Sequence, residues 1–276
     1  EVIQMLCQLF LYPKDEVKSE SIDLRDGELL GLRAGFGAFE AEREASFFST
    51  GGLAAVHSSG RDRNSIWKGL QRKETHGTSG HRILLWFDLV SEDSVVPMGG
   101  NTETSNNPVF RAKAVGAFKQ KEGCPDYSST NISDQEIERI CKNECYNPSD
   151  ERKIISRIEV IKVTPQTYEG ENVDNLISDP WRVFACEPSQ QGCEVEFSDE
   201  EFNSDARDAS YYVRAIQEPS PAVNAGNLRC TYDDEGNCVE VNICYGDNRT
   251  SRDDDCLVMS EERAWSSPIY LNYYNL

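Results

Sequence analysis

Nine of the ten cysteines lie between Cys124 and Cys256, and only Cys7 precedes them. A chain with that distribution has one region whose loops can be cross-linked and another that must be held together by burial alone. The spacings of Cys124, Cys141, Cys145, Cys186, Cys193, Cys230, Cys238, Cys244 and Cys256 fit short closed loops. They lack the two close pairs that converge on a zinc ion. Disulfides are therefore expected, and with them an oxidising compartment, so the protein reads as secreted or periplasmic. The separations favour Cys186 with Cys193, Cys230 with Cys238 and Cys244 with Cys256, and Cys124 with either Cys141 or Cys145. Cys7 has no neighbour and is the candidate free thiol.

A length of 276 residues with 38% hydrophobic side chains can bury a sizeable core, as one large or two ordinary domains. The longest apolar run, Ile3 to Tyr12, is broken by Gln4 and Gln8 and falls far short of the roughly 18 residues of a membrane span. No membrane insertion is expected. The chain opens on Glu1 without a basic segment leading into an apolar one, so the N-terminus looks cut from something longer.

The net charge of −20 is unevenly placed. Residues 1–85 carry 11 basic and 12 acidic groups, whereas the remainder carries 17 and 36, with acidic runs at Asp199–Glu201, Asp233–Glu235 and Asp253–Asp255. A surface of this sign repels phosphate backbones and anionic lipid, which argues against nucleic acid as a partner.

Along the chain, Leu53-Ala-Ala-Val-His57 follows Gly51-Gly52 and suits a buried strand. From Asp62, a capping residue, to Lys73 the spacing of Ile66, Trp67 and Leu70 predicts an amphipathic helix. Arg82 to Asp88 is rich in branched and aromatic residues and reads as a strand. That order, strand then helix then strand, is the signature of an α/β unit. Beyond residue 88 short extended segments alternate with Gly, Pro, Asn and Asp clusters, at 109–118, 154–164, 181–186, 193–197, 210–217, 227–232, 238–244 and 268–273. This predicts an antiparallel sandwich or barrel. One short helix interrupts it near 134–142, where Ser133 and Glu136 form a capping box.

All three histidines, His57, His76 and His81, fall within 25 residues. Neutral imidazoles suit zinc, manganese or iron, and Asp62 or Glu74 could add an oxygen ligand, although the spacing matches no metal motif. Arg61, Arg63, Arg72, Lys73 and Arg82 surround the same loops. Arginines hold phosphate or carboxylate bidentately, and they equally pair with surface carboxylates. Thr78-Ser79-Gly80 is a turn whose backbone N–H groups could face an anion. The candidate anion-binding set is Arg61, Arg63, Thr78, Ser79 and Arg82, and the candidate metal ligand is His57. Asp247, Asn248 and Asp253–Asp255 crowd together, but their spacing fails the EF-hand calcium template. No serine or cysteine nucleophile can be paired with a histidine from the order of residues.

The stretch Phe47 to Gly80, its continuation Arg82 to Asp88, and the segments Gly100 to Phe110, Tyr211 to Ile216 and Glu262 to Ile269 resemble the large bacterial proteins that carry the domain of unknown function numbered 3604. Those belong to the polymerase and histidinol phosphatase (PHP) superfamily of metal-dependent hydrolases. The resemblance implies an α+β chain, with residues 1–88 the end of a PHP-like α/β barrel and 89–276 a disulfide-bonded, acidic, β-sandwich-like domain. It implies a phosphoesterase-like activity on a small-molecule ester, with a divalent metal (zinc, manganese or iron) held by a His-x-His, further His and Glu residues and a late Asp-x-His. None of these motifs occurs here, so the metal belongs to a full-length parent and this chain alone is expected to be inactive. His57 fits the resembling pattern, whereas His76 and His81 stand where Tyr and Pro are expected. The competing class is a non-catalytic, extracellular, disulfide-stabilised binding or structural β module.

Overall fold

The computed structural model describes residues 51–92, 94–127, 133–141, 145–223, 230–241 and 257–274. In chain order they form β1 (Leu53–Val56), α1 (Arg63–Gln71), β2 (Thr75–Thr78), β3 (Leu84–Val90), β4 (Val95–Pro97), β5 (Asn101–Glu103), β6 (Val109–Val115), β7 (Phe118–Gln120) and α2 (Asp134–Cys141). There follow β8 (Pro148–Arg152), β9 (Ile155–Val163), β10 (Ile177–Ala185), β11 (Cys193–Ser198), α3 (Phe202–Asp205), β12 (Ala209–Gln217), β13 (Ser220–Val223), β14 (Cys230–Tyr232), β15 (Cys238–Val241), β16 (Leu257–Ser260), β17 (Arg263–Ser266) and β18 (Ile269–Asn272). The chain divides into two compact units.

The larger unit comprises Gly51–Phe118, Glu151–Pro219 and Glu261–Leu276. Its first sheet is organised by β12. One edge of β12 pairs with β9, and the other pairs with β17 and β18 laid end to end. β10 extends the sheet beyond β9, β2 and then β1 extend it beyond β17, and β5 joins β18 as the one parallel neighbour. The second sheet runs β11-β6-β3-β4, antiparallel throughout.

Period-two alternation explains why the two sheets face each other. In β3 the side chains of Leu85, Phe87 and Leu89 are buried, and so are Phe110, Ala112 and Ala114 in β6 and Tyr211, Val213 and Ala215 in β12. Phe110 lies at the centre, with ring centroids 5.4 Å from Phe87, 5.3 Å from Phe197 and 4.7 Å from Tyr211. Alanines beside these rings leave room for them at ordinary packing density.

A buried polar lock sits against this stack. Asp199 is inaccessible; it accepts the Tyr211 hydroxyl at 2.5 Å and the Glu201 N–H at 3.1 Å, and it lies 2.7 Å from the Lys162 ammonium. Burial pushes the Asp199 carboxyl up, but the Lys162 and Tyr211 contacts outweigh it and hold the group below its ordinary value. Burial and the same carboxylate push Tyr211 far up. The Cys186–Cys193 disulfide adds a covalent tie from the end of β10, in the first sheet, to the start of β11, in the second.

The described residues of the smaller unit fall within Lys119–Asp150 and Ser220–Ser260. Its described part holds α2, capped by the Ser133 hydroxyl accepting from the Glu136 N–H at 3.2 Å, the β13–β16 pair and the β14–β15 hairpin. Cys124 is bonded to Cys145, and Cys230 to Cys238. The expected Cys244–Cys256 bridge and the acidic cluster from Asp247 to Asp255 lie outside the described residues, as does Cys7.

The strand, helix and strand expected at 53–88 all form, yet not as an α/β unit. β1 and β2 pair antiparallel on the two sides of α1, while β3 lies in the other sheet. Described residues 51–88 therefore build antiparallel sheets and no barrel. The cause is the chain reversal after α1, where Lys73 takes a left-handed φ of 58° and Glu74 continues directly into β2. β1, expected as a buried strand, is a partly exposed edge strand. Among the described residues no helix is long and apolar enough to cross a membrane.

Because Phe110 touches three other rings at the centre of the stack, Phe110→Ala is expected to lower unfolding stability by about 3–5 kcal/mol. Urea denaturation followed by far-ultraviolet circular dichroism checks this, and a loss below about 1 kcal/mol would mean that the stack is not the centre of the core.

Candidate functional site

α1 is placed by two local devices. Asp62 caps its start, accepting the N–H groups of Asn64 and Ser65 at 3.0 Å and the Ser65 hydroxyl at 2.5 Å. The Ser65 hydroxyl and N–H hold the Asp62 carboxyl below its ordinary value. Gly69 meets β1 so closely that a Cβ there would stand 2.6 Å from both the His57 carbonyl oxygen and Val56 Cγ1, so only glycine fits without a shift. The contact is thus made by the helix's smallest residue. Ile66, Trp67 and Leu70, which the sequence marks as the helix's apolar face, are left 39%, 57% and 45% exposed.

β1 and β2 bring His57 and His76 together. The register pairs Ala55 with His76, and beyond the last ladder pair the His57 N–H donates to the Glu74 carbonyl at 2.9 Å. His57 Nε2 donates to the Leu85 carbonyl at 2.8 Å and His76 Nε2 to the Ile83 carbonyl at 3.1 Å, with ring centroids 5.5 Å apart. Because a carbonyl only accepts, the Nε2 of each imidazole carries a proton. His76 is only 6% exposed, and burial, helped by nearby His57, lowers its imidazole below the ordinary value against the opposing Ile83 bond. Its Nδ1 has no partner, nor does the Thr78 hydroxyl two residues on, also buried.

His81 belongs to a separate polar cluster. Its Nδ1 accepts from Gln217 Nε2 at 2.8 Å and faces the Lys153 ammonium at 3.5 Å, while Gln217 Oε1 accepts the Ala117 N–H at 3.0 Å. Burial and then the Lys153 charge lower the His81 imidazole, and Glu262 acts in the opposite sense. The Ser79 hydroxyl donates to Glu262 and also accepts the Arg263 N–H at 2.8 Å, while the Ser79 N–H donates to the Arg263 carbonyl at 2.9 Å.

The sequence-predicted residues are therefore dispersed. Arg61 and Arg63 are exposed at the start of α1, Arg82 is exposed before β3, Thr78 is buried, and Ser79 is bonded to β17 and Glu262. Arg72 binds Glu74 bidentately at 2.8 and 3.0 Å and holds that carboxyl low. Among the described residues no three His, Cys, Asp or Glu side chains converge as metal ligands.

Sequence reasoning missed one feature, an open groove of about 390 Å³ on the outer face of the second sheet, lined by Trp86, Asp88, Arg111, Lys113 and Glu194. Arg111 lies 3.4 Å from Asp88 and Lys113 3.2 Å from Glu194, so the charges balance across the strands. The Trp86 ring is 5.8 Å from that of His57. The signal was the outward parity of Trp86 and Asp88 in β3 and of Arg111 and Lys113 in β6, which becomes a surface only once the strands are paired.

Two histidines with lowered values make a pH prediction. Unfolded, each imidazole returns to about 6.5 and binds a proton more tightly than in the fold. Their contribution is thus complete above that value and is lost as pH falls through the folded values. Melting temperature is expected to drop between about pH 7.5 and 5.5, above the range in which the depressed carboxylates titrate. Scanning calorimetry of wild type and of a His76→Asn, His81→Asn double variant checks it, and equal slopes in the two proteins would sink the assignment.

No curated protein and no solved structure matches the chain. Residues 19–116, which carry all three histidines, α1 and the first six strands, match the model of the family described as "Protein of unknown function (DUF3604)", and over that stretch the chain is similar to that family.

Proposed function

We propose that this chain is the C-terminal portion of a PHP-like, metal-dependent hydrolase of phosphoesterase type, whose metal ligands lie in an upstream catalytic segment of a longer parent. The observation that carries this reading is the exposed apolar face of α1. Ile66, Trp67 and Leu70 lie within two helical turns and face water, although burying such side chains is worth roughly 1.5–3 kcal/mol each. A face of this kind, on a helix inside the stretch similar to the DUF3604 family, fits a seam against a neighbouring catalytic part. Arg61 and Arg63 border the seam. In the parent a divalent metal would supply activated water for attack on an ester, and these arginines would steady anionic charge at the edge of the site. The divalent metal, zinc, manganese or iron, and the small-molecule ester both belong to the parent.

The disulfides Cys124–Cys145, Cys186–Cys193 and Cys230–Cys238 support a secreted or periplasmic location, where such bonds persist. They also suit the second reading, a non-catalytic extracellular binding module. What favours that reading is the groove, with Trp86 beside balanced charges on an open sheet face.

The purified chain alone is expected to give no turnover of p-nitrophenyl phosphate with manganese or zinc added. A parent that includes an upstream His-x-His is expected to turn it over, and Trp67→Glu in that parent should lower kcat/KM tenfold or more with circular dichroism unchanged. Turnover by the isolated chain, or a Trp67→Glu parent as active as wild type, would remove the seam. An inactive parent would favour the binding module.

A further inference from the structure

The groove on the outer face of the second sheet is a surface that the hydrolase reading leaves unused. Strand register builds it. Trp86 of β3 stands opposite Lys113 of β6, which stands opposite Glu194 of β11, and two residues along β3 Asp88 stands opposite Arg111. The groove thus crosses three strands of one sheet and is lined by an aromatic plate, two cations and two carboxylates. Its volume of about 390 Å³ lies in the small-ligand range, roughly 300–1,000 Å³.

The Trp86 indole is partly exposed and is steadied by the His57 ring, 5.8 Å away, which is itself fixed by its bond to the Leu85 carbonyl. A plate already in position costs little to order when a ligand arrives. Both charge pairs beside it are loose. Arg111 reaches Asp88 through a single nitrogen at 3.4 Å, and Lys113 and Glu194, 3.2 Å apart, keep 46% and 52% of their side-chain surface exposed. Pairs as open as these contribute little to stability, so a ligand can insert between their members.

The chemistry of the lining selects the occupant. The charges cancel, two against two, so neither a polyanion nor a cationic ligand gains from all four groups. A peptide strand finds no ladder here, because the strands beneath have spent their backbone groups on one another. A lipid chain would strip water from four charges and return nothing. A sugar hydroxyl is different, since it donates to a carboxylate while accepting from an ammonium or guanidinium. The C–H face of a pyranose with equatorial hydroxyls is apolar and weakly positive, and it lies flat on the negative face of an aromatic ring.

We propose that Trp86, Asp88, Arg111, Lys113 and Glu194 form a binding site for a neutral oligosaccharide of gluco-type pyranoses, with one ring stacked on Trp86 and hydroxyls bridging the charge pairs. The inference rests on the second reading above, in which the chain is a binding module, and names the ligand class of that module.

The test is calorimetric titration of the full chain with cellohexaose and with chitohexaose up to millimolar concentration, beside a heparin hexasaccharide as the anionic counterpart. The two neutral hexamers are expected to bind saturably and the anionic one is not. Trp86→Ala should weaken binding about tenfold or more, and Lys113→Met and Glu194→Gln about threefold or more each. Lys113 and Glu194 are exposed and carry no part of the core, so their variants decide the matter even where Trp86→Ala folds poorly. Absence of binding by both neutral hexamers overturns the proposal but leaves the module with another ligand class. Wild-type affinity in Trp86→Ala, or in both charge variants, puts the sugar elsewhere on the chain and overturns the site while the module stands. Tighter binding of the heparin hexasaccharide overturns it equally. The binding-module reading itself fails separately, on an active parent in the phosphatase assay.

Discussion

The contact between Phe87, Phe110, Phe197 and Tyr211 commits the two sheets of the larger unit to each other, and most of the remaining structure follows from it. Once these rings interdigitate, the parity of β3, β6, β11 and β12 is fixed, because a slip of one residue would turn every inward ring to solvent. Tyr211 brings a hydroxyl into that apolar stack, and a buried hydroxyl needs a partner. Asp199 supplies it, and the charge so buried requires Lys162. The polar lock is thus a consequence of using tyrosine where phenylalanine would also have packed, and it fixes the turn after β11 to the face of β9.

The acidic balance of the chain sets how its cations are used. Arg157 reaches Glu159 at 2.7 Å and Glu261 bidentately at 2.7 and 2.8 Å, while Arg214 reaches the other oxygen of Glu159 at 2.6 Å and Asp179 at 2.7 Å. Two guanidinium groups thus tie together three carboxylates on β9, β10 and the segment before β17. Burial opposes the ionisation of Glu159, and its two arginine bonds more than compensate, leaving its carboxyl below the ordinary value. In a chain with net charge −20, shared arginines of this kind relieve like-charge repulsion that isolated pairs would leave in place.

Local structure was legible where local chemistry decides it. The Asp62 cap and the apolar spacing after it marked α1, the Ser133 and Glu136 box marked α2, and branched or aromatic runs marked β3, β6, β9 and β12. The Cys186–Cys193 and Cys230–Cys238 loops were legible because their separations of 7 and 8 residues leave few alternatives. Pairing was not. The order strand, helix, strand is shared by parallel and antiparallel arrangements, and the reversal at Lys73 was carried by a backbone angle with no residue signature, since lysine is not a residue that favours positive φ. Contacts between Ser79 and Glu262, 183 residues apart, depend on β17 lying beside β2, which no local pattern encodes.

The same division explains what the histidine cluster revealed from sequence. Its density pointed to chemistry, yet density alone could not separate His81 from the other two. The separation is made by the start of β3 and the residue before it, whose carbonyls at Leu85 and Ile83 each take one imidazole N–H, and by Gln217, which takes His81 instead. An extended strand offers carbonyls along one edge at every second residue, so two histidines at the end of β1 and in its partner β2 are oriented alike without any motif in their own spacing.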